Sequence, residues 1–325
     1  MIYNQWYVIL ESKEVGKRKP IKVKRLNEEL AIWRDQNGQI SCIADKCCHR
    51  GASLSCGKII DGNIECPFHG FIYDKQGKVT LIPANGKGAK VPSSMCVKAY
   101  STYEAHGLIW LWYGAEEKKT EVPFFFEDLA DFSYGGFKDH WAVHYSRAIE
   151  NQLDVVHLPF VHKTTIGGGG KTLVNGPVVV REGEMITFYV NNVKDDGQTK
   201  PLLPHEIKDY KHFFYLQFHY PNIWQNFISD KIRTFVAFVP IDEENCMVYT
   251  RFYQKMTKLP VLKQIVNFAG RVSSKIILQQ DKRVVLTQLP VKSELKMDEV
   301  LIPGDIPIIE YRKHREALIQ ANPKN

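Results

Sequence analysis

Residues 47–71, CCHRGASLSCGKIIDGNIECPFHGF, hold four cysteines and two histidines with glycines between them. Cys47 and His49 form a C-x-H pair, and Cys66 and His69 form a C-x2-H pair after sixteen intervening residues. Each pair offers one thiolate and one imidazole at a spacing that suits the tip of a tight loop. A glycine follows each histidine closely, where backbone crowding or a positive φ would require it. The segment therefore predicts a metal site formed by two loops.

Two kinds of metal site are compatible with these ligands. A structural zinc ion is usually held by two close Cys/His pairs, and the residue types here do not exclude it. A [2Fe–2S] cluster of the Rieske kind places two cysteines on one iron and two histidines on the other. Two loops that each supply one cysteine and one histidine satisfy that arrangement.

A second group of candidate ligands lies in ENQLDVVHLPFVH, residues 150–162. Asp154 and His157 share one face of a helical turn, whereas His157 and His162 would diverge in a regular helix. Pro159 disfavours helical geometry at the residue before it, so we expect the helix to break between the histidines and His162 to lie beside His157.

Two imidazoles and one carboxylate bind non-haem Fe(II) and leave positions open for O₂ and substrate. Asp154 is the near candidate for the carboxylate. Asp281 is remote, in an apolar stretch of the predicted C-terminal helix where an unpaired carboxylate is costly. The residues alone leave this choice open.

Composition argues for a soluble protein without nucleic-acid partners. The 325 residues suggest two domains or one large one, and the net charge of +7 comes largely from scattered lysines. The longest apolar run, LIWLWY, is too short to span a bilayer, and the first residues make a poor signal peptide. Seven cysteines clustered with histidines favour metal binding in a reducing compartment. We therefore expect a cytoplasmic protein without a membrane partner.

The chain reads as two domains of different type. Short strands run to about residue 115, with GLIWLWYG as the closing buried strand of an all-β domain. Beyond residue 115, the runs FFYLQFHY, RTFVAFVPI and CMVYTRFY predict an antiparallel sheet, which gives an α+β second domain. One long helix, from about Pro260 to Leu289, is predicted to pack on that sheet. The apolar residues at its helical spacing are Leu262, Ile265, Val266, Ala269, Val272 and Ile276.

At this point the sequence resembles a known family. CCHRG followed by CPFHGF resembles the Rieske signature, and the segment 151–162 resembles the mononuclear-iron motif N-x2-D-x2-H-x4-H of the Rieske non-haem iron oxygenases. The chain looks most like the α-only oxygenases of the vanillate and dicamba O-demethylase kind. The resemblance implies a Rieske [2Fe–2S] domain in residues 1–115 and a helix-grip (START-like) catalytic domain with an antiparallel sheet in residues 116–325.

The resemblance also implies roles for individual residues. The cluster ligands would be Cys47 and Cys66 on one iron and His49 and His69 on the other. The mononuclear iron would be held by His157, His162 and Asp281, with Gln288 following the aspartate and Asn151 as a further motif residue. Asp154 would link His157 to His69 of a neighbouring subunit. Cys48 and Cys56 would then be spectators, and we expect Cys42, Cys96 and Cys246 to be small buried apolar residues.

The activity implied is that of the oxygenase component of a multicomponent system, assembled as a head-to-tail homotrimer. A separate flavin reductase, directly or through a ferredoxin, would pass electrons from NAD(P)H to the cluster and on to the iron. No G-x-G-x-x-G fingerprint occurs in the sequence. The reaction would be monooxygenation or oxidative demethylation of a small aromatic or cyclic substrate, or ring cis-dihydroxylation.

Two other classes of protein remain open, a Rieske electron carrier without oxygenase activity and a zinc-dependent binding protein. GGGGKT at residues 167–172 lacks the earlier glycine of a phosphate-binding loop, because position 165 is Thr165. We expect a flexible connector beside the active site instead. His205 and His219 are candidates to line the substrate cavity.

Overall fold

The computed structural model describes residues 1–324, which divide into two compact units. Apart from single terminal residues, the units are Tyr3–Phe125 and Phe126–Pro323. The sequence analysis places the domain boundary at residue 115.

Short antiparallel strands make up the first unit. They are β1 Gln5–Glu11, β2 Ile21–Arg25, β3 Glu28–Arg34, β4 Ile40–Ala44, β5 Lys58–Ile60, β6 Asn63–Glu65, β7 Ile72–Tyr73, β8 Val79–Leu81, β9 Thr102–Ala105 and β10 Leu108–Tyr113. The strands pair in the orders β1-β10-β9, β2-β3-β4 and β5-β6-β7-β8. Every residue of β10 is buried, which confirms the predicted closing strand.

Strand β3 is buried on both faces. Successive side chains point to opposite sides of a strand, and each side of β3 packs in an apolar cluster. Ile32 belongs to one apolar cluster, together with Tyr7 and Leu111. Trp33 belongs to another, which also contains Cys47 and Cys66. The cysteines of the predicted metal site are therefore part of the hydrophobic core of this unit.

An antiparallel sheet with helices makes up the second unit. Its strands are β11 Ser133–Trp141, β12 Leu173–Glu182, β13 Met185–Val193, β14 Phe214–His219, β15 Ile223–Ser229, β16 Ile232–Pro240 and β17 Cys246–Gln254, in the order β11-β17-β16-β15-β14-β13-β12. Its helices are α1 Tyr145–Leu153, α2 Leu158–Val161, α3 Pro260–Val285 and α4 Ile306–Ala321. The aromatic runs predicted as strands are β14, β16 and β17, and the α+β class is confirmed.

Helix α3 packs on the sheet by a different face from the predicted one. Gly270 lies against the ring of Phe252, and Asn267 Oδ1 accepts a hydrogen bond from the side chain of Gln254 at 2.9 Å. The predicted apolar stripe faces outwards instead, and four of its side chains are exposed by between 42% and 58%: Leu262, Ile265, Val272 and Ile276. The predicted face was therefore wrong, because the sheet takes up the small and polar side of the helix.

Within residues 1–324, the helices are all too short or too polar to serve as membrane-crossing segments.

Candidate cluster and metal centre

The two loops of the cysteine–histidine segment have the same backbone. Gly51 donates its N–H to the carbonyl of Cys47 at 2.9 Å, and Gly70 donates to Cys66 at 3.1 Å. The N–H of each cysteine donates to the carbonyl five residues further on, at 2.8 Å in both loops. Both glycines have a positive φ, +75° and +70°, as the sequence predicted. Each loop therefore turns back sharply just after its histidine.

The loops place thiols inside and imidazoles outside. Cys47 and Cys66 are 3% and 1% exposed and interact through their side chains, whereas His49 and His69 are exposed. The two imidazole rings lie together, with centroids 4.7 Å apart. Paired thiols beside paired imidazoles are the donor set of a Rieske cluster, so the residues present fit that group.

Hydrogen bonds favour ionisation of the Cys47 thiol. Burial opposes the thiolate, but the Tyr73 hydroxyl and the backbone amides of His49 and Arg50 outweigh burial and lower the pKa of the Cys47 thiol. Burial raises the pKa of the Cys66 thiol. A lowered thiol pKa favours the thiolate, which is the metal-binding form.

Tyr73, in β7, is a residue that the sequence analysis missed. Its hydroxyl oxygen lies 3.0 Å from Sγ of Cys47 and 3.2 Å from Sγ of Cys48, and it accepts the Cys48 N–H at 3.1 Å. Cys48 itself is exposed, whereas Cys47 faces the interior. A tyrosine in a two-residue strand gives no sequence signal for this contact, because only the folded sheet brings β7 to the loop.

The other cysteines divide between core and surface. Cys42 and Cys246 are buried, as predicted, and Cys56 is exposed. Cys96 is also exposed, so its prediction as a buried apolar residue was wrong. It lies between β8 and β9, in an irregular stretch that bridges to Lys78, where the chain runs along the surface.

The second group of ligands surrounds the short helix α2. Helix α1 ends at Leu153, ahead of His157, and α2 spans Leu158–Val161 with Pro159 in its first turn. The expected break at Pro159 was therefore misplaced, because a proline in the first turn has no intrahelical hydrogen bond to lose. His157 and His162 cap the two ends of α2, and their Nε2 atoms lie 3.3 Å apart.

Asp281 of α3 completes this group. Its Oδ1 lies 2.9 Å from Nε2 of His162 and 3.4 Å from Nε2 of His157. These ligand atoms all lie within 4.8 Å of one another, which is the spacing of a metal site. Asp154 contacts the other nitrogen of His157 instead, with Oδ2 3.5 Å from Nδ1. Of the two candidate carboxylates, the structure thus brings Asp281 to both Nε2 atoms.

The aspartates and histidines of this group shift one another's pKa values. Burial opposes ionisation of Asp281, but the imidazoles of His157 and His162 beside it outweigh burial and lower the pKa of the carboxyl to about 2. Burial likewise opposes protonation of His157, but Asp154 and Asp281 outweigh it and raise its pKa to about 9. Burial would raise the pKa of Asp154, and the contact with His157 lowers it overall. The two aspartates therefore stabilise positive charge beside them.

Gln280 fixes the orientation of His162 and was also missed by the sequence analysis. Its Oε1 lies 2.8 Å from Nδ1 of His162 and also accepts the hydroxyl of Thr165 at 2.8 Å. Because that oxygen is an acceptor, Nδ1 is the donor, and Nε2 presents its lone pair towards Asp281. The Gln288 suggested by the resemblance is exposed and does not line the cavity described below.

This donor set fits a bound cation. Oδ1 of Asp281 is buried and has no hydrogen-bond partner among the described residues. A carboxylate oxygen and an imidazole lone pair pointing at each other are unfavourable unless a cation lies between them. Two imidazoles and one carboxylate are the ligands of non-haem Fe(II).

Both parts of the chain match known families. Residues 5–101 match the Rieske [2Fe-2S] domain, and residues 141–321 match the vanillate O-demethylase oxygenase C-terminal domain. The chain belongs to the Rieske oxygenases of the vanillate O-demethylase type.

Curated relatives of this Rieske oxygenase share about a third of their residues with it over part of the chain. A vanillate O-demethylase oxygenase subunit of Pseudomonas sp. is 33% identical over 58% of this chain and 53% of its own length. The putative toluene-4-sulfonate monooxygenase iron-sulfur subunit TsaM2 of Comamonas testosteroni is 30% identical over 56% of this chain and 52% of its own. The chain thus spans about half the length of these relatives.

Solved structures resemble nearly the whole chain. NdmA of Pseudomonas putida CBB5 superposes with a TM-score of 0.80 at 22% identity, covering 98% of this chain and 91% of that one. Dicamba monooxygenase bound to dicamba gives 0.78 at 19% identity, covering 99% and 98%. At these identities the likeness supports the fold.

A cavity of about 600 Å³ opens onto the candidate metal ligands of this Rieske oxygenase. His157, His162 and Asp281 all line it, as does Asn151, whose buried Nδ2 has no hydrogen-bond partner within residues 1–324. The loop at 167–172 also contributes to the lining, so its predicted place beside the site is confirmed.

The cavity lining corrects one prediction of the sequence analysis. As far as the described residues show, neither His205 nor His219 lines the cavity, so both were wrongly predicted to do so. His205 is exposed on a surface turn, and His219 ends β14 beyond the part of the strand that reaches the cavity.

Proposed function

We propose that this chain is the oxygenase component of a multicomponent system that uses O₂ and supplied electrons for monooxygenation or oxidative demethylation of a cyclic substrate. The observation that carries the proposal is a 600 Å³ cavity whose lining includes two histidines and an aspartate converging on one point. An Fe(II) ion bound by two imidazoles and one carboxylate supplies open positions where O₂ and substrate react.

The chain's own residues supply the ligands at both sites and orient them. Cys47 and Cys66 would hold one iron of a [2Fe–2S] cluster, and His49 and His69 the other, near the surface where electrons enter and leave. Such a cluster supplies electrons singly. In the second unit, Gln280 and Asp154 orient the two imidazoles, and the apolar cavity walls limit access of water to the ligands.

We place the electron path between copies of the chain. Asp154 contacts His157, and its side chain keeps 28% exposure, so a second imidazole can reach it. Two aromatic rings beside the metal residues are open to solvent, Phe68 at 57% and Phe160 at 66%. Exposed apolar side chains of this size are typical of surfaces that meet a partner. We propose a head-to-tail homotrimer in which His69 of one copy meets Asp154 of the next.

Electrons would come from NAD(P)H through a separate flavin reductase, directly or through a ferredoxin. The scattered lysines give the chain a net charge of +7, which suits an acidic electron-transfer partner. A reducing, cytoplasmic location fits seven cysteines that are all unpaired in residues 1–324.

The test compares substrate-coupled O₂ consumption in the purified protein with NADH and a reductase. We expect His162→Ala to keep the visible cluster spectrum and its reduction by dithionite, and to lose the mononuclear iron and all coupled O₂ consumption. His205→Ala, at an exposed histidine outside the cavity, serves as the control and should keep both. A protein that reduces its cluster but consumes no O₂ with any substrate would be an electron carrier, and a colourless zinc protein would exclude both.

A further inference from the structure

Three buried polar groups face the cavity without a hydrogen-bond partner. They are Nε1 of Trp224, Oδ1 of Asn226 and Oγ1 of Thr250, and none is paired by a described residue. All three side chains line the cavity. Trp224 and Thr250 are 3% and 2% exposed, so bulk water does not satisfy them.

Strand register explains why these groups share one wall. Trp224 of β15 lies opposite Val236 of β16, which lies opposite Thr250 of β17. Asn226 lies two residues along β15 from Trp224, and therefore points to the same face. The sheet thus presents a polar patch, which we name the polar wall: Trp224, Asn226 and Thr250.

The polar wall needs a ligand to complete it. Leaving a buried donor or acceptor unpaired is costly, so a ligand that pairs with these groups binds more tightly than a purely apolar ligand of the same size. The indole N–H of Trp224 is a donor only, and it requires an acceptor on the ligand. The hydroxyl of Thr250 accepts or donates as the ligand demands, and the unpaired Oδ1 of Asn226 accepts a hydrogen bond.

Charge in the cavity favours a neutral ligand. Apart from the metal-site residues, Lys171 is the charged residue of the described lining, and its side chain is exposed in the glycine-rich loop. An Fe(II) ion would be balanced by the charges of Asp154 and Asp281. A carboxylate at the polar wall would therefore be desolvated without a cation beside it, which is costly.

The size and the apolar walls of the cavity also limit which ligands fit. A volume of about 600 Å³ lies within the range of cavities that enclose drug-sized ligands. The remaining walls are largely apolar and include Phe213, Phe214, Leu216 and Leu278. We propose that the substrate is a neutral molecule larger than one aromatic ring, such as a fused-ring compound, with a carbonyl oxygen that accepts the Trp224 N–H. This inference rests on the proposed function and deepens it.

The experiment measures equilibrium binding by calorimetry to the metal-loaded protein, without reductase. The probes share one ring system: 6-methoxy-2-acetylnaphthalene carries a neutral acceptor, 6-methoxy-2-naphthoate carries a charge, and 2-methoxynaphthalene lacks the second oxygen. We expect the ketone to bind about tenfold more tightly than either of the others. Naphthoate binding as tightly as the ketone, or no heat from the ketone at millimolar concentration, overturns the proposal.

Variants assign the effect to the polar wall. Trp224→Phe keeps an aromatic ring but removes the donor, and should weaken ketone binding about tenfold while changing 2-methoxynaphthalene by less than about twofold. Thr250→Val keeps the shape and provides a second test if the first variant folds poorly. Trp110→Phe is the matched control, because its buried Nε1 also has no hydrogen-bond partner within residues 1–324 but lies outside the cavity lining. Unchanged ketone binding in both wall variants overturns the proposal.

The two proposals fail in different ways. Coupled O₂ consumption with an anionic substrate, together with tight naphthoate binding, leaves the oxygenase function standing and refutes the substrate class. The expected order of probe binding without coupled O₂ consumption supports the polar wall and refutes the oxygenase function.

Discussion

At the residue scale, the Nδ1 atoms of the two candidate metal-ligating histidines face different oxygens. Gln280 Oε1 lies 2.8 Å from Nδ1 of His162, and Asp154 Oδ2 lies 3.5 Å from Nδ1 of His157. Both contacts turn the Nε2 atoms towards Asp281. Such outer contacts orient a metal ligand and tune its basicity, so residues that touch no metal still set its affinity.

Gln280→Leu tests this role. It removes the acceptor from His162, and we expect the affinity for the mononuclear iron to fall about 10- to 100-fold with the cluster spectrum unchanged. The measurement is iron content after dialysis against a series of buffered Fe(II) concentrations. Gln279→Leu is the control, because the amide of Gln279 donates to Asp139 at 2.8 Å instead.

Gln280→Glu sharpens the test, because it keeps an acceptor oxygen at the same reach. It should recover most of the affinity lost in Gln280→Leu. Equal iron affinity in the leucine variant and the native chain would contradict the orienting role.

At the scale of elements, helix α3 both supports the sheet and supplies Asp281. Gly270, near its middle, allows the helix backbone to approach Phe252 of β17 closely. A glycine in a helix interior is otherwise unfavourable by about 1 kcal/mol relative to alanine. Its presence here is explained by packing.

Gly270→Ala therefore has two opposing effects. The added methyl group overlaps the ring of Phe252, and overpacking of this kind costs about 1–3 kcal/mol, more than the gain in helix propensity. We expect a lower Tm by calorimetry and weaker binding of the mononuclear iron, because α3 must shift. Ser273→Ala, at an exposed position of the same helix, should leave the Tm unchanged or slightly raised. A Tm increase in Gly270→Ala would contradict close packing at this point.

The same helix shows what the sequence does and does not predict. Its existence and start followed from spacing and Pro260, and the predicted strands followed from aromatic and β-branched runs. Its buried face did not follow, because periodicity locates an apolar stripe without saying whether the sheet or another surface covers it. The candidate cysteine and histidine ligands were predictable because local motifs contain them, whereas Asp281 followed only from the family resemblance. Gln280, Tyr73 and Trp224 reach the sites only through tertiary structure, which leaves no local pattern.

At the scale of the whole molecule, the outward stripe of α3 and the rings near the metal residues expose apolar surface. Phe268, at 60% exposure, extends the stripe of the helix. Covering such surface with a second copy removes it from water at about 25 cal/mol per Å². The proposed trimer would explain why these apolar side chains are exposed in a single copy of the chain.

Co-expression of two inactive variants tests whether electrons cross between copies. Cys66→Ser removes a proposed cluster ligand, and His162→Ala removes a proposed iron ligand, so each variant alone should be inactive. In mixed trimers an interface works only when the intact cluster faces the intact iron site. Random assortment then predicts roughly a quarter of the native rate for the whole population and roughly a third for isolated mixed trimers.

A tag on each variant allows mixed assemblies to be isolated and assayed for O₂ consumption. As a control, the double variant co-expressed with itself should stay inactive. No activity in isolated mixed trimers would show that each chain uses its own cluster.

The two cysteine–histidine loops, which share the same hydrogen bonding, lie close together in the sequence. This closeness affects when each site is completed during translation. The candidate cluster ligands all lie between residues 47 and 69, joined by the short β5–β6 hairpin, so little chain entropy is lost in bringing them together. Asp281 follows His162 only after the six strands β12–β17. At ~5–20 residues per second, synthesis reaches Asp281 on the order of 10–40 seconds after His69. A ribosome-bound chain can therefore acquire its cluster before the iron site has a complete set of ligands.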